Sequence, residues 1–298
     1  ILWSRIRRRV IARSKRRGPV NAATSDSGGH NGRRPFSRNI FPSAFVEIPN
    51  AMEIEVMLER ISRGRTDLVF ELLGSPGWKD IIREGDTNPL QWFVYYNDVT
   101  ALKAILNAGG DLESLDLGQE LGNAAFFGHW KVADFLIEHG ADVNWHVPET
   151  GETPLHSALC KAGRPQYLYV LKVLVENGAN VNARTIPGRE TGGFMRDVRT
   201  KGETPLHRAA AYGDEAMISY LLENGAEKEA RDANGDSPLT WASEHLRPGA
   251  ILQLLAFPPH NISDAHVTRI TSDHGSGWGY GMERNFLGDY LPESVELK

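Results

Sequence analysis

Cysteine is nearly absent from this sequence, which has a single one, Cys160, among 298 residues. One thiol cannot form an internal disulfide or a Cys-rich zinc site, and it suits a reducing compartment. The sequence also lacks any uninterrupted apolar run near the roughly 20 residues that cross a bilayer. With 41% apolar and 24% charged residues and a mean hydropathy of −0.37, we expect a globular protein of the cytoplasm.

Motifs of catalysis are missing as well. The sequence contains no Gly-rich dinucleotide motif after a strand, no Walker loop, no HExxH zinc motif and no GxSxG nucleophile motif. Acidic residues are plentiful but scattered, so no pair of carboxylates is distinguished as a general acid and base. We therefore predict a protein that is not an enzyme and that uses no metal and no cofactor.

Charge is divided unevenly along the chain. Residues 1–38 contain eleven Lys and Arg and one acidic residue, Asp26, for a net charge of +10. Residues 39–298 contain 22 basic and 37 acidic residues, for a net charge of −15. The basic segment has too little apolar surface to offset the entropy of ordering it, which predicts a disordered arm.

The origin of the basic arm has three interpretations. Because the chain begins with Ile rather than Met, we interpret the arm first as the end of a fragment or as upstream sequence outside the mature protein. Its Arg-rich, acid-poor composition also matches an organellar transit peptide. The third interpretation is an arm that binds the phosphate groups of a nucleic acid.

An internal repeat organises the remaining sequence. The segment GETPLHSAL at 151–159 recurs as GETPLHRAA at 202–210 and as GDSPLTWAS at 235–243, and the last two segments are 33 residues apart. Each is followed by an apolar run and a Gly-containing turn, such as KVLVENGANVN at 172–182. This period, with T-P-L-H before small residues, resembles the ankyrin repeat.

Each feature of the repeat has a physical reason. Thr204 is suited to cap a first helix, and Pro205 fits the first helical position, where a missing N–H costs nothing. Gly213 predicts a left-handed residue that ends this helix. Leu221 and Leu222 belong to the apolar face of a second helix. One such unit cannot bury its own apolar faces, so the units must stack.

The sequence therefore predicts an all-α solenoid of stacked ankyrin-type helix-turn-helix repeats with short hairpin fingers. Weaker matches at 88–112, 121–142 and 56–73 extend the array to about six repeats over residues 51–257. We place a disordered basic arm at 1–50 and an irregular tail at 258–298. An insertion at 184–201 falls where ankyrin repeats have a finger, and it is either a binding finger or a disordered loop.

Candidate contact residues follow from the resemblance, since partners of similar proteins bind the finger tips and the C-terminal part of each first helix. Five of the ten positions before the helix-ending residues are aromatic, which favours an interface. Phe126 among them is equally well explained as a core residue. The predicted contacts of the concave face are Tyr95, Tyr96, Phe127, Lys161, Tyr212 and His245. The predicted finger-tip contacts are Glu149, Thr150, Thr200, Lys201, Ala233 and Asn234, and the wider set of finger-tip candidates also includes Glu152, Glu203 and Asp236.

The histidines and the cysteine favour structural roles. His156 and His207 occupy the same place in the repeated segment, so we expect them to hydrogen-bond neighbouring backbone. A lone Cys at the end of a repeat helix, Cys160, is expected to be packed. The three tail histidines (His260, His266 and His274) have irregular spacing and no cysteine near them, which disfavours zinc.

The function that this resemblance implies is that of a non-catalytic scaffold or adaptor binding a protein partner. The net charge of −15 favours a partner with a basic patch, bound more weakly at high salt. We expect a monomer that does not bind membranes. One alternative is nucleic-acid binding through the basic arm, and another is an enzyme with its site at the tail histidines.

Overall fold

The computed structural model describes residues 51–84, 88–191 and 199–258. The predicted arm at 1–50 and all but the first residue of the predicted tail lie outside these ranges. The described residues form thirteen α-helices, and a 3-10 turn at Thr66–Leu68 precedes the second of them. The helices are α1 (Ala51–Ser62), α2 (Val69–Leu73), α3 (Trp78–Glu84), α4 (Pro89–Tyr95), α5 (Val99–Asn107), α6 (Leu117–Phe127), α7 (Trp130–Glu138), α8 (Pro154–Ala158), α9 (Tyr167–Glu176), α10 (Pro205–Tyr212), α11 (Glu215–Glu223), α12 (Pro238–Glu244) and α13 (Gly249–Leu255).

Twelve of these helices form six consecutive pairs arranged in two layers. The first-helix layer contains α1, α4, α6, α8, α10 and α12, and each contacts the next. The second-helix layer contains α2, α5, α7, α9, α11 and α13 in the same relation. Fully buried side chains such as Leu121, Leu136, Leu171 and Leu206 fill the core of the stack. The predicted all-α solenoid is therefore confirmed.

Reciprocal hydrogen bonds fix where the first helices begin. Thr153 Oγ1 accepts from the His156 N–H at 3.4 Å, and His156 Nδ1 accepts from the Thr153 N–H at 3.3 Å. The His156 Nε2–H is then left to donate to the carbonyl of Glu203 in the next repeat, at 3.3 Å. His207 contacts the carbonyl of Asp236 in the same way at 3.0 Å. The structural role predicted for His156 and His207 is confirmed.

The prediction for Gly213 is wrong. Its φ of −70° and ψ of 163° are extended, not left-handed. Glycine is required at this position because an added Cβ would lie 2.7 Å from the carbonyl oxygen of Ala209. At the equivalent places of earlier repeats the left-handed conformation does occur, at Asn97 with a φ of 59° and at Gly128 with a φ of 79°.

Side-chain amides link successive repeats at the ends of the second helices. Asn144 donates to the carbonyl of Gly178 at 3.1 Å and accepts from the Asn180 N–H at 2.8 Å. Asn182 donates to the carbonyl of Gly225 at 2.9 Å and accepts from the Glu227 N–H at 3.0 Å. These bonds set a fixed spacing between repeats in addition to the apolar packing of the helices.

Helix α3 is an element that the sequence analysis did not identify. It lies between the first and second helix pairs, where later repeats have a hairpin finger. Ile82 is buried, and Trp78 packs near Gly110, where an added Cβ would lie 2.9 Å from the indole ring. Arg83 forms an ion pair with Asp111. These contacts fasten α3 to the end of α5.

Candidate interaction face

Four aromatic side chains form a row across two neighbouring repeats at the C-terminal ends of α4 and α6. We call Tyr95, Tyr96, Phe126 and Phe127 the aromatic row. Tyr95 lies 5.0 Å from Tyr96 and 5.2 Å from Phe127 between ring centroids, and Phe127 lies 5.2 Å from Phe126. All three pairs meet edge to face, a geometry that aromatic rings prefer. The row therefore joins the two repeats into one apolar surface.

The aromatic row is only partly covered by the rest of the protein. The Tyr96 side chain is 37% exposed, and the other three residues are half-buried. The Tyr96 hydroxyl donates to the carbonyl of Ser62 at 2.9 Å, which holds the ring against the first repeat. Phe126 lies at the surface beneath the ammonium group of Lys161, 4.2 Å from the ring centroid. It is therefore not a core residue.

Cys160 does not contribute to this surface. Its side chain is buried, and its thiol donates to the carbonyl of His156 at 3.3 Å. Burial raises the pKa of the thiol to about 12. The thiolate needed for a nucleophile is therefore not populated near neutral pH, and the predicted packing role is confirmed.

Tyr212 and His245 form a second polar–aromatic cluster at the ends of α10 and α12. His245 Nδ1 lies 2.8 Å from the Trp241 carbonyl, which can only accept, so this nitrogen carries the proton. His245 Nε2 therefore accepts from the Tyr212 hydroxyl at 3.0 Å. Burial lowers the pKa of His245 to about 4, so it is neutral at pH 7. The Lys201 ammonium lies 5.2 Å from the centroid of the Trp241 ring.

The finger-tip candidates differ in exposure. Glu149, Ala233 and Asn234 are exposed and Lys201 is half-buried. Thr150 and Thr200 are only 4% and 2% exposed, which contradicts their placement as accessible tips. Their hydroxyls donate inward, to Glu152 Oε2 at 3.0 Å and to the Arg189 carbonyl at 3.1 Å.

A buried ion network that was not predicted from the sequence lies beneath the fingers. Arg208 on α10 is fully buried, with Nη2 2.9 Å from Glu152 Oε1 and 2.6 Å from Glu203 Oε1. The other oxygen of Glu203 accepts from the Thr185 hydroxyl at 2.6 Å and from the Lys201 N–H at 2.7 Å. Burial raises the pKa of Glu203, but Arg208 outweighs this effect and the pKa falls to about 2. The network joins the bases of two fingers to one helix.

One signal in the sequence pointed to this network. An acidic residue recurs at the second position of each repeated segment (Glu152, Glu203 and Asp236), and Arg208 stands where the other segments have Ser157 and Trp241. The prediction of Glu152, Glu203 and Asp236 as finger-tip candidates placed them in the correct loops but is wrong about their accessibility, since they are only 5%, 1% and 4% exposed. Their burial depends on how the neighbouring repeats pack.

Some predicted features cannot be located on this face. The basic arm and His260, His266 and His274 lie outside the described residues. Within 51–84, 88–191 and 199–258, no group of three or more His, Cys, Asp or Glu side chains is arranged to hold a metal ion. In the same ranges no helix combines the length and apolar character needed to span a membrane.

Comparisons with known proteins agree with the stacked helix pairs. A family model described as ankyrin repeats, in three copies, matches residues 120–185 and 190–267. Rabankyrin-5 of Homo sapiens is 35% identical over 125 residues, which are 40% of this chain and 10% of the relative. Ankyrin repeat and SOCS box protein 11 of Danio rerio is 31% identical over 124 residues, 42% of this chain and 36% of the relative. Inversin of Homo sapiens is 29% identical over 184 residues, 60% of this chain and 16% of the relative.

Proposed function

Because this chain belongs to the ankyrin-repeat family, whose arrays generally mediate protein–protein interaction, we propose that it is a non-catalytic scaffold or adaptor. It binds a protein partner through the concave face and the fingers. The matches cover a minor part of each relative's length, from 10% to 36% for the three compared above. The functions of those whole proteins are therefore not transferred to this chain.

The aromatic row is the observation that supports this proposal. Half-exposed tyrosine and phenylalanine rings that are fixed by edge-to-face contacts lose little entropy when a partner covers them. Tyrosine is also enriched among the residues that dominate binding energy at interfaces. An edge-to-face contact of 5.2 Å between Tyr95 and Phe127 spans two repeats, so the partner contacts the stack and not a single unit.

The proposed contact set retains the accessible candidates. On the concave face it comprises Tyr95, Tyr96, Phe127, Lys161, Tyr212 and His245. At the fingers it comprises Glu149, Lys201, Ala233 and Asn234. Thr150 and Thr200 are left out because their hydroxyls are buried and engaged within the fingers.

The oligomeric state, the location and the charge of the preferred partner are also part of the proposal. We propose a monomeric protein of the cytoplasm, in keeping with its single, buried cysteine. The net charge of −15 over residues 39–298 favours partners with a basic patch for the molecule taken as a whole. The local charge of the fingers differs from this average, as described below.

Affinity capture from the source cell, followed by binding measurements with the captured partner, tests the proposal. We expect Tyr96→Ala combined with Phe127→Ala to weaken binding by about tenfold or more, as for central aromatic contacts elsewhere. Phe70→Ala is the matched control, since Phe70 is an aromatic residue of α2 that is 63% exposed and distant in sequence from the row. Unchanged affinity in the double variant, with a normal unfolding midpoint, would contradict the assignment of this face.

A further inference from the structure

Five cationic side chains lie on two neighbouring fingers, and we call them the finger cations: Arg184, Arg189, Arg199, Lys201 and Arg231. The first four belong to the described parts of one long finger, residues 183–191 and 199–203, and Arg231 begins the next finger. The two fingers are joined by hydrogen bonds. The Ala233 N–H donates to the Lys201 carbonyl at 2.7 Å, and Arg184 Nη1 donates to the Arg231 carbonyl at 2.5 Å.

The finger cations are accessible to solvent, and they outnumber the exposed carboxylates around them. All four arginines are exposed and Lys201 is half-buried. In the part of the chain that the structure describes, none of the five forms an ion pair with a carboxylate.

Two carboxylates of these fingers are occupied by other donors. Glu203 is bound to the buried Arg208. Asp232 accepts from the Asn234 and Asp236 N–H groups at 2.8 and 2.9 Å and from the Trp241 ring N–H at 3.1 Å. Two others are exposed, Glu190, which pairs with Arg199 in an antiparallel bridge, and Glu229, and the five cations outnumber them. The fingers therefore present positive charge although residues 39–298 are acidic overall.

The long finger is held in place before any partner arrives. The Ile186 N–H donates to the Thr150 carbonyl of the preceding finger at 2.7 Å, and the Thr185 N–H donates to the Glu203 carbonyl at 3.1 Å. The Gly188 N–H donates to the Thr200 carbonyl at 2.7 Å. Cations carried on such a prepositioned backbone lose less conformational entropy on binding than cations on a free loop.

An apolar contact point lies among the finger cations. Ile186 is 40% exposed, and the adjacent Pro187 is exposed as well. Both residues follow Arg184 and precede Arg189 along the long finger. A ligand that matches this surface carries negative charge on both sides of an apolar group.

We propose that the finger cations bind an acidic segment of the partner protein, with an apolar residue of that segment packed on Ile186. This inference rests on the proposed function and names the chemistry of its partner. A protein segment is favoured over a nucleic acid, because a long polyanion also meets the acidic remainder of residues 39–298, at net −15. A short peptide meets only the local field, within about 10 Å at physiological salt.

Fluorescence anisotropy with the full chain and a labelled peptide of glutamate and leucine tests the proposal. We expect Arg189→Glu combined with Arg199→Glu to weaken peptide binding by roughly tenfold or more. The neutral pair, Arg189→Gln with Arg199→Gln, should give a smaller loss and guards against misfolding of the first variant. The control pair, Lys103→Glu with Lys131→Glu, changes the net charge equally on exposed sites of α5 and α7 and should leave affinity within about twofold.

Three results would overturn the inference. The first is absence of peptide binding to the wild-type chain. The second is equal affinity in the arginine variants and the lysine control, which would place the peptide elsewhere, including on the basic arm. The third is stronger binding of an oligothymidylate than of the peptide, with the same sensitivity to Arg189 and Arg199.

These results are separate from those that test the aromatic row. If partner affinity depends on Tyr96 and Phe127 while peptide binding ignores Arg189 and Arg199, the inference fails and the proposed function stands. If peptide binding depends on the two arginines and no captured protein depends on the row, the aromatic contact surface fails while acidic-peptide recognition stands. Circular dichroism of each variant checks that the helix pairs are intact.

Discussion

At the scale of single residues, Glu120 carries the most unusual carboxyl group of the stack. It lies on α6 and is 1% exposed. Burial raises its pKa to about 7, although Asn123 Nδ2 donates to it at 3.1 Å and Gln91 Nε2 at 3.3 Å. The two amide donors offset part of the desolvation cost of the Glu120 carboxylate, but they do not neutralise its charge as a cation would. Glu120 is therefore a proton-binding site between the second and third repeats.

Glu120 makes the stability of the protein depend on pH. The folded state binds a proton that the unfolded state releases above the ordinary pKa of 4.5, so the contribution of Glu120 to stability falls as the pH rises from about 4.5 to about 7. We expect Glu120→Gln to remove this loss, worth about 3 kcal/mol at most. Urea unfolding should show the variant more stable than wild type at pH 8 and nearly equal at pH 5. Glu138→Gln, at an exposed position of α7, is the control. Parallel plots of unfolding free energy against pH for wild type and Glu120→Gln would contradict the prediction.

Leu246 is the second residue with an identifiable energetic cost. Its φ of 50° is left-handed, and its side chain is 54% exposed, so little burial compensates the strain. We expect Leu246→Gly to raise the free energy of unfolding by about 0.5–1 kcal/mol. Gln253→Gly, at an exposed position within α13, should instead lower it by about 1 kcal/mol. Chemical denaturation measures both changes, and a loss of stability in Leu246→Gly would show that the leucine side chain outweighs the strain.

At the scale of elements, the turn at the end of α10 requires glycine because Gly213 lies close to Ala209, and not because Gly213 has an unusual backbone conformation. Gly213 leaves α10 in an extended conformation, with its own N–H donating to the Ala209 carbonyl at 2.7 Å. An added Cβ would meet that same carbonyl oxygen at 2.7 Å and would force the turn between α10 and α11 apart.

We therefore expect Gly213→Ala to destabilise the protein by about 1–3 kcal/mol, as overpacking does in other cores. Gly249→Ala is the matched control, because Gly249 begins α13 and has no atom within 4 Å of an added Cβ. The control should be neutral or stabilising by up to about 1 kcal/mol. Thermal unfolding followed by circular dichroism compares them, and equal midpoints would show that the turn relaxes without cost.

A helix can end in glycine for two reasons, a left-handed turn or a close contact, and this ambiguity shows which parts of the fold could be predicted from the sequence. Helix pairs follow from local periodicity and from the capping position at which the repeated segment has Thr204, and at the equivalent positions Thr153 and Ser237 the side chains cap their helices. A glycine at a helix end is consistent with either a left-handed turn or a close contact, and only the packed neighbour, Ala209, distinguishes them for Gly213. Helix α3 was missed because it replaces a finger and has no counterpart in the later repeats.

The candidate face could be predicted only in part, for a similar physical reason. The position of the aromatic row at the ends of first helices follows from the repeat register. Whether a finger side chain points outward depends on the hydrogen bonds that form within the folded finger, as at Thr150 and Thr200. The positive charge of the fingers was also not apparent from the sequence, because a net charge summed over many residues does not show where opposite charges lie.

At the scale of the whole molecule, Arg208 connects parts that are far apart in sequence. Its guanidinium reaches Glu152 on one finger, Glu203 on the next, and the carbonyl of His156 in α8 at 3.3 Å. The stack otherwise depends on contacts between nearest neighbours, which lets repeat proteins open locally. A buried charge network across the fourth and fifth pairs opposes opening at the base of the long finger.

We expect Arg208→Met to cost about 3–5 kcal/mol, because it leaves buried carboxylates without a counter-charge. The contribution of Glu203 to the pH dependence should also change sign. In the wild type the low pKa of Glu203 gives stability that is present above about pH 4.5 and is lost as the pH falls toward 2. Without Arg208, burial raises the pKa of Glu203, so the stability of the variant relative to wild type should rise on going from pH 7 to pH 5.

Two further variants distinguish the effect of losing the charge network from the effect of losing packing contacts. Adding Glu152→Gln and Glu203→Gln to Arg208→Met should recover most of the stability and restore the wild-type slope of stability against pH, since the network itself then holds no buried charge. Arg83→Met removes the surface ion pair with Asp111 and should leave the slope unchanged. Urea unfolding between pH 5 and pH 7 measures all four proteins. If Arg208→Met keeps the wild-type slope, the two carboxylates have regained water and the fingers are not tied together by this charge.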